Sequence, residues 1–200
     1  TLDFLEHVDP EKCMVKVGLE LFISEGWKIL DLISEKGFEI FLDLKLHDIP
    51  NTVAGAIRKI SNFNVSLTTI HLNGGKEMVK AADEFKGDVK ILGVSILTSL
   101  SREDILEITS SEFDIYFDKL LSVAKNTNID GIVCSPNELN KLRDFNKLKV
   151  VPGIRNSISD DDQKRIMSSN DAYQNGADFI VVGRPITLSK DPAKALELFI

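Results

Sequence analysis

Two lysines and two aspartates in the first quarter of the chain have the spacing of a charged catalytic site. Asp43 and Lys45 lie two residues apart in an apolar run, so in a β-strand both side chains point to the same face. Lys16 lies in an earlier apolar run, and Asp48 follows Lys45 in a turn. An alternating array of such charges can stabilise a developing carbanion beside a proton donor. The spacing therefore predicts carbanion chemistry with acid–base assistance.

Each of these residues alone also has a structural explanation. Asp43 and Lys45 could form an ordinary ion pair at a strand end, and Asp48 could help to cap the next helix. Four charges gathered at one place are harder to explain in this way, because unpaired buried charge is costly and tends to mark function. We therefore favour the catalytic interpretation. His47 has no second His or Cys at ligand spacing, so no metal site is predicted.

Two turns late in the chain have the composition of a phosphate site. Gly153 and Arg155 form the first, and Gly183 and Arg184 form the second. Glycine lets backbone N–H groups approach an anion, and arginine can bind phosphate through two hydrogen bonds. Gln163, between the two turns, could add a neutral hydrogen bond to a phosphate or a base. Either turn alone could be a simple loop with surface charge, but together they predict a phosphorylated ligand.

Thr98 is a third polar position that could bind a ligand. It follows an apolar run, where its hydroxyl could bond the polar edge of a heterocycle. For the neighbouring Ser99 and Ser101, a role as a helix N-cap is equally reasonable.

A repeated β-α pattern supplies the elements that would position these residues. The predicted strands are Cys13–Val17, Phe38–Lys45, Val65–His71, Val89–Leu97, Gly131–Cys134, Lys149–Pro152 and Phe179–Val182. The predicted helices are Leu19–Glu35, Ile49–Ile60, Gly75–Phe85, Phe113–Asn126, Pro136–Phe145, Asn170–Asn175 and Pro192–Ile200. No linker interrupts the series, so we expect one α/β domain over residues 1–200 with a parallel sheet.

Two architectures have this pattern: an open doubly wound sheet and a (β/α)8 TIM barrel. An open dinucleotide-binding sheet should have a glycine-rich turn after an early strand, and the sequence has none. A barrel should have polar residues where strands end and phosphate-binding turns after its last strands, as found here. The segment Thr1–Pro10 is typical of a helix that leads into the first visible strand. We therefore expect a barrel whose first strand precedes Thr1.

Composition limits which classes of partner the protein can bind and which cellular compartment suits it. Acidic residues outnumber basic ones by 31 to 24, for a net charge of −7, which argues against a nucleic-acid or anionic-membrane surface. The sequence has no secretory signal and no apolar stretch long enough to cross a bilayer. Cys13 and Cys134 each lie in short apolar runs, typical of core thiols in a reducing compartment. These features predict a cytoplasmic protein with a small anionic ligand.

Five segments together resemble the orotidine 5′-monophosphate decarboxylase family, in particular its bacterial branch. They are Val15-Lys16-Val17-Gly18, the run from Asp43 to Thr52, Leu97-Thr98-Ser99, Pro152-Gly153-Ile154-Arg155 and Gly183-Arg184-Pro185. The resemblance implies a TIM barrel that converts orotidine 5′-phosphate into uridine 5′-phosphate and carbon dioxide. It also implies that no metal or organic cofactor takes part.

The resemblance also assigns roles to residues. It implies that Lys45 donates a proton to C6 of the pyrimidine, that Asp43 repels the substrate carboxylate, and that Lys16 orders the charges and contacts the ribose. Asp48 and Thr52 would reach into the site of a neighbouring subunit, which implies a homodimer. The remaining residues would bind the substrate: Thr98 the pyrimidine, and Arg155, Gln163, Gly183 and Arg184 the phosphate.

The resemblance leaves two alternatives open. The wider superfamily shares the Asp43, Lys45 and Asp48 pattern, which also fits 3-keto-gulonate-phosphate decarboxylase and hexulose-phosphate synthase. The continuation from Ile49 to Thr52 favours the orotidine branch. Members of that branch also carry an early Ala-Leu-Asp strand that has no match before Lys16. This departure keeps open a non-catalytic barrel that only binds phosphate ligands.

Overall fold

Parallel strands in chain order form the frame of the molecule. The computed structural model describes residues 2–156 and 167–200. Within these residues, seven strands pair as a single parallel sheet in the order β1 to β7. The strands are β1 Val15–Gly18, β2 Ile40–Leu46, β3 Leu67–His71, β4 Lys90–Val94, β5 Gly131–Val133, β6 Leu148–Pro152 and β7 Phe179–Val181. All seven predicted strands are confirmed, with small differences at their ends.

Helices connect the strands, as parallel pairing requires. They are α1 Leu2–Leu5, α2 Leu19–Glu25, α3 Lys28–Glu35, α4 Pro50–Ile60, α5 Gly75–Glu84, α6 Arg102–Thr109, α7 Phe113–Lys125, α8 Ser169–Gln174, α9 Arg184–Thr187 and α10 Pro192–Glu197. Two 3-10 helices cover Leu72–Gly74 and Pro136–Leu142. No helix among the described residues is long and apolar enough to cross a membrane.

The helix predictions were wrong at four places, one of them the short helix α9, which was not predicted. The predicted helix Leu19–Glu35 is two helices, because Gly26 ends α2 with a positive φ of 63°. The predicted helix Pro136–Phe145 is the 3-10 helix, which ends at Leu142. Helix α6 was missed, although its N-cap, Ser101, was identified as a capping candidate. The Ser101 hydroxyl accepts the Asp104 N–H, and the Asp104 carboxylate accepts the Ser101 N–H, which is a capping box.

Two separate apolar clusters identify the inside and the outside of the sheet. The larger one packs strand residues against the helices. The smaller one draws on five strands, with members Phe41, Leu67, Leu92, Val94, Val133 and Val150. Because successive side chains on a strand alternate between faces, this smaller cluster fills the barrel interior. Asp43 and Lys45 continue the face of Phe41 toward the end of β2, as predicted.

The barrel is nearly closed. In the described part of the chain, β1 and β7 are the two edges of the sheet and do not pair with each other. Lys12, before β1, forms an ion pair with Glu197 of α10, which joins the segment before β1 to the last helix. The parallel barrel class is confirmed. The further strand expected before Thr1 remains a prediction.

Candidate active site

Three of the four predicted charged residues meet at the end of β1 and β2. Lys45 Nζ lies 2.9 and 2.7 Å from the two carboxylate oxygens of Asp43. Lys16 Nζ lies 3.7 Å from Asp43 Oδ2. The Asp43 side chain is 11% exposed, whereas both lysine side chains are 35% exposed. One nearly buried carboxylate therefore lies between two ammonium groups that solvent can reach.

An irregularity in β2 gives this cluster its shape. Leu42 pairs with Thr68 and Leu46 pairs with Ile70, so four residues of β2 span the same length as two residues of β3. Lys45 lies within this bulge at a φ of 51°, a conformation that non-glycine residues rarely adopt. The bulge brings Lys45 back toward Asp43. Strain of this kind persists where neighbouring contacts fix it, often at functional sites.

Thr69 of β3 contacts both members of the Asp43–Lys45 pair. Its hydroxyl donates to Asp43 Oδ1 at 2.9 Å and accepts the backbone N–H of Lys45 at 2.8 Å. Thr69 is fully buried. The role of Thr69 was not predicted from the sequence. Thr68 and Thr69 are adjacent in β3, and the sequence alone does not distinguish them.

Gly18 leaves space for the Lys16 ammonium group. A Cβ built on Gly18 would lie 3.1 Å from Lys16 Nζ, which is closer than an unstrained contact. The backbone itself, at φ −88° and ψ 176°, is extended and open to any residue. The missing side chain of Gly18 therefore leaves room for the Lys16 ammonium group, and the backbone conformation does not require glycine. From the sequence, Gly18 was identified only as part of a motif, and no role was predicted for it.

Gly18→Ala is expected to lower kcat while leaving the protein at least as stable. The added methyl group moves the Lys16 ammonium by a few tenths of an ångström, and we expect kcat to fall by about two- to fivefold. Loss of backbone freedom in the unfolded chain should add about 0.4–1 kcal/mol to the free energy of unfolding. Steady-state kinetics and denaturant titration measure the two effects.

Gly55→Ala is the matched control for this substitution. Gly55 lies in α4, and a Cβ there would meet no atom within 4 Å. This variant should gain stability without a change in kcat. An unchanged kcat in Gly18→Ala would contradict the role given to Gly18.

Asp48 and Thr52 lie apart from the cluster within one chain. Asp48 is exposed, and its carboxylate accepts the backbone N–H of Ile49 at 2.7 Å. No ion pair within 4 Å joins Asp48 to a lysine or arginine of the described residues. Thr52 is exposed in the first turn of α4. The structure therefore brings three of the four predicted charges together and leaves the fourth at the surface.

Two histidines border the cluster. The rings of His47 and His71 lie 5.5 Å apart between centroids. Burial lowers the pKa of His71 from its usual value of 6.5, and the neighbouring His47 and Lys45 lower this pKa further. The nearby Asp43 carboxylate opposes this shift, but the pKa of His71 remains lowered, which favours the neutral ring beside Lys45.

The predicted phosphate-binding residues follow two adjacent strands. Pro152 of β6 pairs with Val181 of β7, so the turns after these strands begin side by side. Arg155 is 9% exposed, and its guanidinium donates to the Ile154 carbonyl oxygen at 3.0 Å. Gly183 precedes α9, and a Cβ there would meet no described atom within 4 Å.

The other predicted ligand-binding residues have different surroundings. Arg184 is exposed at the start of α9. Gln163 lies outside the described residues. Thr98 lines a cavity of about 350 Å³, together with Ser101, Phe113 and Lys141. The lining of this cavity does not include Lys16, Asp43 or Lys45.

Barrel enzymes that act on phosphorylated ligands often bind the phosphate at the turns after their last strands. This barrel has glycine–arginine turns there and a lysine–aspartate–lysine cluster at another side of its mouth, which fits this class of enzymes. Comparison with known proteins identifies the family within this class of enzymes. Residues 1–199 match the sequence model of the Orotidine 5′-phosphate decarboxylase / HUMPS family. The chain belongs to this family.

Individual relatives match over most of their own length, and a solved structure among the similar proteins has the same fold. A protein of Saccharophagus degradans named orotidine 5′-phosphate decarboxylase is 40% identical over 98% of this chain and 86% of its own length. One of Ehrlichia chaffeensis with the same name is 45% identical over 92% of this chain and 83% of its own. The crystal structure of the orotidine 5′-phosphate decarboxylase from Lactobacillus acidophilus superposes with a TM-score of 0.86 at 35% identity, covering 98% of this chain and 90% of that one.

Proposed function

We propose that this protein decarboxylates orotidine 5′-phosphate to uridine 5′-phosphate and carbon dioxide, a step of pyrimidine nucleotide synthesis. The observation that carries the proposal is the Asp43 carboxylate held between the Lys45 and Lys16 ammonium groups, in a chain about 40% identical to proteins of that name. Such a site can destabilise a bound carboxylate and supply a proton where that carboxylate leaves.

The chemistry needs only these side chains. Asp43 lies beside the substrate carboxylate and repels it, which favours breaking the bond between C6 and the carboxyl carbon. The electron pair of that bond stays on C6, and carbon dioxide leaves. Lys45 transfers a proton from its ammonium group to C6, and its neutral amine then regains a proton from solvent. Lys16 balances the charge of Asp43 throughout and orients the ribose.

The substrate phosphate would bind at the turns after β6 and β7. Arg155, Gln163, Gly183 and Arg184 supply guanidinium, amide and backbone N–H donors in this proposal. Thr98 would bind the pyrimidine edge. The phosphate is remote from the bond that breaks, so its binding energy can be used to order the site for the reaction. No metal or organic cofactor has a part in these steps.

A comparison of substrates tests the proposed reaction against its alternatives. Orotidine 5′-phosphate and 3-keto-gulonate phosphate are each incubated with the protein, and kcat/KM is measured for both. Conversion of the nucleotide alone supports the proposal. Conversion of the phosphosugar alone would instead assign the phosphosugar branch of the family. Binding of uridine 5′-phosphate without any conversion would favour a non-catalytic barrel.

We propose that the active form is a homodimer in which Asp48 and Thr52 complete the site of the other subunit. Both residues are exposed, and they follow β2, the strand that carries Asp43 and Lys45. Large apolar side chains are exposed on the segments that follow β1 and β2: Leu19 and Ile23 of α2, and Ile49, which precedes α4. Contiguous exposed apolar patches are typical of interaction surfaces. A second copy of the chain would cover this surface and bring its Asp48 toward Lys45.

Mixing two inactive variants tests this exchange of residues. Lys45→Ala and Asp48→Asn are each expected to be nearly inactive alone. After subunit exchange in an equal mixture, about a quarter of the sites combine an intact Lys45 with an intact Asp48 from the other chain. We therefore expect about a quarter of the wild-type activity to return, measured as uridine 5′-phosphate formed.

Lys45→Ala mixed with Asp43→Asn is the control for this experiment. Asp43 and Lys45 are in contact within one chain, so no exchanged dimer contains a complete site. This mixture should stay inactive. Absence of recovery with Asp48→Asn, or a monomeric wild-type protein in sedimentation analysis, would contradict the shared site.

We further propose a cytoplasmic location. Cys13 and Cys134 are both free thiols, and burial raises the pKa of each. Unpaired cysteines of this kind are usual in reducing compartments.

A further inference from the structure

A single hydroxyl group links the two reacting side chains of the site. Thr69 Oγ1 lies 2.9 Å from Asp43 Oδ1 and 2.8 Å from the backbone nitrogen of Lys45. A hydroxyl group has one proton to donate, and the carboxylate accepts it. The Lys45 N–H then donates to the lone pair of the same oxygen. The direction of both hydrogen bonds is therefore fixed.

These bonds close a ring of three contacts. Thr69 holds Asp43, Asp43 binds the Lys45 ammonium group, and the Lys45 backbone returns to Thr69. Lys45 has a φ of 51°, and the extra residues of the β2 bulge remove it from regular pairing with β3. Its N–H finds an acceptor in the Thr69 side chain instead of a strand carbonyl. The hydroxyl therefore compensates for the pairing that the bulge removes.

We infer that Thr69 is a positioning residue that sets the distance and direction between Asp43 and Lys45. This inference rests on the decarboxylation proposed above, because it concerns the groups assigned to that reaction. Thr69 is fully buried and acts through its two partners without touching the substrate. Without its hydroxyl, Lys45 loses its backbone anchor and Asp43 loses one of its donors. The ammonium group is then no longer held at one place relative to C6.

The neighbouring Thr68 provides a matched control. It is equally buried in β3, but its hydroxyl donates to the Leu42 backbone carbonyl oxygen at 2.9 Å. Leu42 belongs to the cluster that packs against the helices, on the opposite face from Asp43. Thr68 and Thr69 thus share burial, strand and residue type. They differ in whether the hydroxyl group reaches the charged cluster.

Three variants test the inference: Thr69→Val, Thr69→Ser and Thr68→Val. Valine keeps the shape of threonine without its hydroxyl, and serine keeps the hydroxyl. We expect Thr69→Val to lower kcat for orotidine 5′-phosphate by about 10-fold, since small displacements of reacting groups have effects of this order. The KM and the affinity for uridine 5′-phosphate should change little. Thr69→Ser should recover most of kcat, and Thr68→Val should keep the wild-type kcat.

Amide hydrogen exchange gives a second readout that does not depend on turnover. The Lys45 N–H should exchange faster in Thr69→Val than in the wild type, and it should stay protected in Thr69→Ser and Thr68→Val. Thermal unfolding checks that all variants are folded.

The outcomes separate the inference from the proposed function. A normal kcat in Thr69→Val, or equal losses in Thr69→Val and Thr68→Val, would overturn the inference while wild-type turnover still supports the function. A wild-type protein that does not convert orotidine 5′-phosphate would overturn the function. In that case, unchanged exchange of the Lys45 N–H in Thr69→Val would also refute the anchoring of Lys45 by Thr69.

Discussion

Lys45→Ala is expected to lower kcat for orotidine 5′-phosphate by about 10²–10⁴-fold, the contribution usual for a positioned general acid. Lys45 is the group assigned to protonate C6, and its ammonium group is the closest cation to Asp43, at 2.7 Å. Lys16 lies farther from the same carboxylate, at 3.7 Å, so it cannot replace Lys45 without movement. The substitution removes the proton donor and leaves the repelling carboxylate in place.

Binding should survive the same substitution. The turns proposed to bind the phosphate follow β6 and β7, on different strands from Lys45, so uridine 5′-phosphate should still bind. Calorimetric titration measures this affinity, and single-turnover kinetics measures the chemical step. Lys80→Ala is the control, because Lys80 is an exposed helix lysine paired only with Glu77 in the described structure. Substantial turnover by Lys45→Ala would contradict its assignment as the proton donor.

Arg184→Ala is expected to lower kcat/KM by about 100-fold, because hydrogen bonds to charged groups contribute about 1.5–3 kcal/mol each. Arg184 begins α9 directly after Gly183, in the turn that follows β7 and begins beside the turn after β6. In the proposed reaction, the enzyme uses phosphate binding to lower the barrier at C6. The loss should therefore appear in kcat as well as in KM.

A substrate without phosphate gives this prediction its sharpest test. Orotidine lacks the phosphate that Arg184 is proposed to bind, so the slow conversion of orotidine should be the same in Arg184→Ala and the wild type. Arg143→Ala is the control, since Arg143 is an exposed arginine whose guanidinium donates to Asn140. Equal losses for orotidine and its phosphate would show that Arg184 does not act on the phosphate.

Periodicity alone was enough to predict the strands and their parallel order. Alternating or continuous apolar runs identify strands, and helical connections between them require parallel pairing. Two of the errors arose from local geometry that apolar spacing does not show. Gly26 divides the predicted helix after β1 through a positive φ, and apolar spacing continues across it. The segment from Pro136 has helical spacing but adopts 3-10 geometry, which periodicity cannot distinguish over so short a range.

The charged cluster was only partly predictable. Strand alternation correctly placed Lys16, Asp43 and Lys45 on the inner face. The bulge that turns Lys45 toward Asp43 depends on pairing between β2 and β3, which lie far apart in sequence. The role of Thr69 can be recognised only once that pairing is known, because Thr69 contacts residues more than twenty positions away. The need for glycine at position 18 comes from the nearby Lys16 side chain and not from the backbone conformation of Gly18.

The predicted position of Asp48 was wrong for a different reason, because a single chain does not bring it to the other three charges. Its spacing from Lys45 suggested that all four charges could converge, but its carboxylate binds the next backbone N–H at the surface. The resemblance to a family supplied the explanation that a second subunit receives it. That explanation depends on an assembly, and the mixing experiment above addresses it directly.

The most direct test of the whole account is the ultraviolet absorbance of orotidine 5′-phosphate mixed with the purified protein and excess chelator. We predict loss of the orotate chromophore, with one uridine 5′-phosphate formed for each substrate consumed, at a rate that the chelator does not change. An unchanged spectrum over many hours, from folded protein that also fails to bind uridine 5′-phosphate, would contradict the assignment of this site to orotidine 5′-phosphate.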